Sequence, residues 1–105
     1  MNITYKEHSY ELKYSFRAMM LFENITKKSF NTKTITDFIT FLYCIILAQA
    51  KDEVIDYGEF LDWIDENHDI FNDYVKWLVD VYTEQANKTP DKETKTTDDK
   101  IESKN

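Results

Sequence analysis

The residues able to do chemistry in this chain are few and scattered. Its one cysteine, Cys44, lies inside an apolar run, and its two histidines, His8 and His68, have no recognisable partner for a nucleophilic triad. A lone cysteine forms no internal disulfide and fits a reducing compartment. Asp65, His68 and Asp69 are spaced so that i, i+3 neighbours share a helical face, as metal ligands would. Without a second ligand-bearing helix, an exposed helix end accounts for them better. The segment IDYGEF, Ile55 to Phe60, looks like the second half of a calcium-binding EF-hand loop closed by Glu59. Counting back from Glu59 puts Ala48 and Ala50 at the first two ligand positions and Glu53 where the loop needs glycine. The sequence therefore predicts no catalytic residue, no metal and no cofactor, and a protein that is not an enzyme.

The elements that would position these residues read as helices. Across 105 residues, Gly and Pro occur once each beside seven Phe, seven Tyr and two Trp, so all-β turn chemistry is nearly absent. Thr34 to Ala50, TITDFITFLYCIILAQA, is the most continuously apolar stretch. Ile35, Phe38, Ile39, Leu42, Ile45 and Ile46 follow one helical face, while Phe41, Tyr43, Cys44 and Leu47 fill the others. A helix apolar on nearly every side needs cover from several neighbours, so this is the expected central helix. Its apolar run is far short of the roughly 20 residues that cross a bilayer.

Around it, Ile3, Tyr5, Tyr10, Leu12, Tyr14 and Phe16 alternate with polar residues. They predict a short β-hairpin over about Asn2 to Tyr14 with its turn at Lys6 to Ser9. From Ser15, a capping residue, a helix to about Thr26 carries Phe16, Met19, Met20, Leu21, Phe22 and Ile25. Met19 and Met20 suit either core filling or an adaptable peptide-binding surface. Ser29 to Lys33 is a loop with Phe30 tucked under the helices. Thr34 or Thr36 caps the central helix, with Asp37 in its first turn. Asp56 and Glu59 form a capping-box-like pair before the stripe Tyr57, Phe60, Leu61, Ile64. A last helix, from Asp69 or Asn72 to about Asn87, directs Phe71, Tyr74, Val75, Leu78, Val81 and Tyr82 inward. The fold class is mainly α: a bundle of about four helices with an N-terminal hairpin, residues 1–87, and a disordered tail, residues 88–105, of balanced charge and almost no apolar content.

The formal net charge of −7 is uneven. Residues 1–51 hold seven Lys or Arg against four acids, whereas residues 52–84 hold eleven acids against Lys76 alone. The acidic half disfavours nucleic acid and favours basic partners or association between copies, or else simply keeps the helices soluble. Trp63 and Trp77 fall off the stripes of their helices. They either lie over the rim of the core or, with Phe71 and Tyr74, form a partner-binding face. The N-terminal MNITYKEHSYELKYS has no apolar signal segment, so a cytoplasmic location is expected.

The order of parts resembles the tail assembly chaperones of long-tailed bacteriophages and prophages. Tyr10 to Phe16 runs directly into Phe16-Arg17-Ala18, followed by Phe22-Glu23 and by Thr26-Lys27-Lys28-Ser29-Phe30. Many members have Gly after the Thr of that last segment, where this chain has Lys27. The resemblance extends loosely to about Asn87. It implies a chaperone that binds the long tape measure protein in the host cytoplasm, recruits tail tube protein and leaves the mature virion, and that in many members also exists in a longer, frameshifted form. A small acidic inhibitor of a host nucleic-acid-binding protein, or a generic interaction module, are the alternatives.

Overall fold

A computed structural model of the chain describes residues 1–50 and 54–88; of the expected tail, residues 88–105, Lys88 ends the last helix and residues 89–105 lie outside the described residues. Two strands and four helices follow one another: β1 (Asn2–Tyr5), β2 (His8–Glu11), α1 (Phe16–Thr26), α2 (Ile35–Leu47), α3 (Tyr57–Glu66) and α4 (His68–Lys88). The described residues group into two compact units, Met1–Val75 and residues 76–88, the second beginning within α4.

The hairpin forms because Ile3, Tyr5, Tyr10 and Leu12 bury one face of an alternating strand pair. Its register, Ile3 opposite Tyr10 and Tyr5 opposite His8, leaves only Lys6 and Glu7 for the turn, so the expected four-residue turn is shorter. Both turn residues have positive φ, 48° and 70°, the twist-matched geometry usually reserved for Asn and Gly. Packing of the strands over the core overrides the turn's own preference, and Lys6 reaches across to form an ion pair with Glu59.

Local capping sets three helix starts. Ser15 Oγ accepts from Ala18 N at 3.2 Å, and Asp56 Oδ2 from Glu59 N at 2.9 Å. Thr34 Oγ1 accepts from Asp37 N at 3.1 Å while Asp37 Oδ2 accepts from Thr34 N at 3.2 Å, a reciprocal capping box. The Asp56–Glu59 pair works in one direction only, since the Glu59 carboxylate is turned to Lys6. The helix α4 begins at His68, a residue or more earlier than its acids suggest, because Asn67 O receives Phe71 N as soon as α3 ends.

The central helix is wrapped as expected. Thr40, Phe41, Leu42, Cys44, Ile45 and Ile46 are all buried. It ends at Leu47, before the expected Ala50, and Ile35 in its first turn is 68% exposed instead of facing inward. Phe41 anchors one aromatic cluster, with Phe30 at 4.7 Å, Tyr14 at 6.0 Å and Phe22 at 6.4 Å between centroids. Tyr43, two residues and therefore about 200° further round the helix, anchors a second with Tyr57 at 5.0 Å and Phe60 at 5.5 Å. Polar ends in this core are satisfied: Tyr43 Oη donates to Ile55 O at 2.6 Å, and Tyr74 Oη to Phe38 O at 2.8 Å.

Candidate functional site

The chemistry-bearing residues come first. Cys44 is fully buried, and burial pushes its thiol up to about 12, so the nucleophilic thiolate is suppressed. Asp65, His68 and Asp69 line an open depression at the α3–α4 junction. Among the described residues, no three His, Cys, Asp or Glu side chains gather closely enough to hold a metal ion. Glu59, the would-be calcium ligand, sits in the first turn of α3 and pairs with Lys6.

The four residues expected at a partner-binding face have separate fates. Trp63 is half-buried, stacked on Phe60 at 5.7 Å and edge-on to Tyr5 at 5.4 Å, so its ring lies over the rim of the hairpin–α3 core. Phe71 is half-buried beside Tyr74, with centroids 5.8 Å apart. Tyr74 follows the inward stripe and not the partner-binding face: it is completely buried, and its hydroxyl donates to the backbone of α2. A ring sealed in the core offers no surface to a partner. Trp77 is half-buried and belongs to the second unit.

Exposed apolar groups of the first unit's helices lie elsewhere, on α1 and at Ile35 in the first turn of α2. With 100° between successive residues, the buried line Ala18–Phe22 and the line Phe16–Met20 occupy nearly opposite sides of the helix. Phe16 is 81% exposed and Met20 63%. Of the two uses open to the methionines, Met20 is surface while Met19 is half-buried. The signal available in the sequence was Ala18: a small residue four before Phe22 marks the line along which α1 approaches α2 closely.

Beside this face, Arg17, Leu21, Leu47, Ala48 and Ala50 line an open depression between the start of α1 and the end of α2. Lys13 and Arg17 are exposed, and Arg17 has no ion pair among the described residues. The nearby Glu23 carboxylate is engaged, accepting from Phe30 N at 2.8 Å. At the other end of α1, Asp37 is held down to about 2, chiefly by the Lys28 ammonium at 2.8 Å and then by the backbone N–H of Lys33 at 3.1 Å. Cation and carboxylate there are mutually satisfied.

No helix among the described residues is long and apolar enough to cross a membrane. Compared with models of known protein families, with curated proteins and with solved structures, the chain matches none.

Proposed function

We propose that this chain is a non-enzymatic tail assembly chaperone that binds an apolar-rich client, the tape measure protein, in the bacterial cytoplasm and recruits tail tube subunits to it. The observation that carries the reading is the folding of the segment Thr26–Phe30 that bears the resemblance. Lys27 is left-handed, φ 61°, and closes α1 through its N–H to Glu23 O at 2.8 Å. Glycine adopts that conformation most readily. The position where many family members carry glycine thus has glycine's backbone geometry here, although the side chain is lysine. The turn then returns Phe30 onto Phe22 and Phe41, so the segment acts as a structural clasp between α1 and α2.

A client-binding role also accords with Phe16 and Met20, which are exposed one turn apart on the same side of α1, since adjoining exposed apolar groups can belong to a protein contact. The acidic stretch 52–84 would keep a complex with an apolar client in solution. Co-expression of the chain with the longest open reading frame of its neighbouring gene cluster tests the reading. A chaperone should co-purify with that product, keep it soluble, and be encoded between it and a tail tube gene. A client that is equally soluble without the chain overturns the proposal.

A further inference from the structure

We propose that the outer side of α1 pairs with the same side of a second copy, the two helices running antiparallel about a two-fold axis between Phe16 and Met20, and that a client displaces this pairing. The pairing follows from the surface alone; its displacement rests on the client-binding reading above.

The order of residues along that side selects the occupant. At 100° and 1.5 Å per residue, Phe16, Met20 and Glu23 fall within about 60° of arc and about 10 Å of axis, and all three are exposed. Exposed Arg17, about 60° round from Met20, and exposed Lys13, just ahead of the cap Ser15, put cations at the end opposite Glu23. Neither cation has an ion pair among the described residues. From the N-terminal end the side therefore runs cation, apolar, apolar, anion. An antiparallel copy presents the reverse order, so each position meets its complement.

An axis at the level of Ala18 sets Phe16 against the second copy's Met20, an aromatic–thioether contact. It sets Glu23 against the second copy's Lys13, with Arg17 one turn inward. Glu23 Oε2 accepts from Phe30 N, which leaves Oε1 for the contact. Lys27 falls past the start of the second copy's α1. Glu11 lies on the α2 side, where Gln49 Nε2 donates to its carbonyl at 2.6 Å.

Other occupants fit less well. A helix flanked by charge of one sign matches one end of this side and opposes the other. Residues 89–105 contain one aliphatic side chain, Ile101, and cannot cover the Phe16–Met20 pair. With eleven residues, about 16 Å of helix, α1 supplies less contact than a standard interface of roughly 800 Å² per partner. Each copy also carries a formal charge of −7. The pairing is accordingly weak and displaceable, with a dissociation constant on the order of 100 µM.

Sedimentation equilibrium of the full chain between about 10 µM and about 1 mM should show a reversible monomer–dimer equilibrium. Phe16→Ser with Met20→Ser should weaken it by roughly tenfold or more. Lys13→Glu with Arg17→Glu should weaken it by about tenfold, and so should Glu23→Lys, although Glu23→Lys brings each copy nearer neutrality. All three charge reversals together restore opposite ends and should bind more tightly than either set alone, a recovery that loss of fold does not produce. If Glu23→Lys melts below the parent, Glu23→Gln, which keeps an acceptor for Phe30 N, carries the test with a severalfold weakening. A chain still monomeric at about 1 mM, an affinity that follows net charge whatever the position of the charges, or a dimer indifferent to Phe16 and Met20 overturns the pairing and leaves the chaperone reading standing. A dimer that takes up the tape measure protein without dissociating overturns the displacement. A dimer with these charge responses that never co-purifies with the tape measure protein supports the pairing and removes the chaperone reading.

Discussion

At the scale of single residues, two positions carry a cost that the rest of the fold tolerates. Lys27 sits in the left-handed region where a Cβ is unfavourable by about 1 kcal/mol, and glycine escapes that cost while losing some chain entropy. Lys27→Gly should therefore stabilise the protein by about 0.5 kcal/mol and raise Tm by a few degrees in a thermal melt followed by circular dichroism. A lower Tm would mean that the lysine side chain contributes more than its backbone costs. Tyr5 is 3% exposed, and its hydroxyl has no hydrogen-bond partner among the described residues, while its ring packs edge-on against Phe60 and Trp63. A buried hydroxyl without a partner costs about 1–3 kcal/mol. Tyr5→Phe keeps the ring and removes the burden, so urea denaturation should show a midpoint shifted upward by the equivalent of about 1 kcal/mol. An unchanged or lower midpoint would show that the hydroxyl is satisfied by solvent.

At the scale of elements, the clasp between α1 and α2 depends on one carboxylate. Asp37 receives Lys28, Lys33 N and Thr34 N, and is held at about 2, below the ordinary carboxylate value of about 4. A group whose pKa is lowered by folding contributes stability above its unfolded value and loses that contribution as pH falls through its folded value. The start of α2 should therefore weaken between about pH 4 and about pH 2. Asp37→Asn should destabilise at pH 7 and flatten the pH dependence across that window, as measured by Tm at successive pH values. Parallel curves for the two proteins would place the acid sensitivity elsewhere. This clasp was legible in part: Thr34 as a cap and Asp37 in the first turn follow from local rules, because a side chain and an amide three residues apart meet in any helix start. The link from Lys28 was not, since it requires the loop's path.

At the scale of the whole molecule, charge opposes compactness. Eleven acids against one lysine over residues 52–84 repel one another, while the ion pair Lys6–Glu59 is exposed on both sides and is of the kind that contributes little to stability. Raising NaCl from about 20 mM to about 0.5 M shortens the screening length severalfold, and Tm should rise by a few degrees in calorimetry. A fall would show that the ion pairs outweigh the repulsion. The sequence by itself determined the hairpin, the four helices, the caps Ser15 and Asp56, a threonine cap at 34 or 36, and the burial of Phe41, Leu42, Cys44, Ile45 and Ile46. Each of these follows from periodicity or from contacts within one turn. Only the tertiary structure decided that Phe16, Met20 and Ile35 face outward, that the Tyr74 hydroxyl reaches Phe38 O, and that Lys6 and Glu7 make a turn unsuited to them. An α-helix with apolar residues on two sides satisfies its own hydrogen bonds whichever side is buried, so the choice falls to the elements that pack against it.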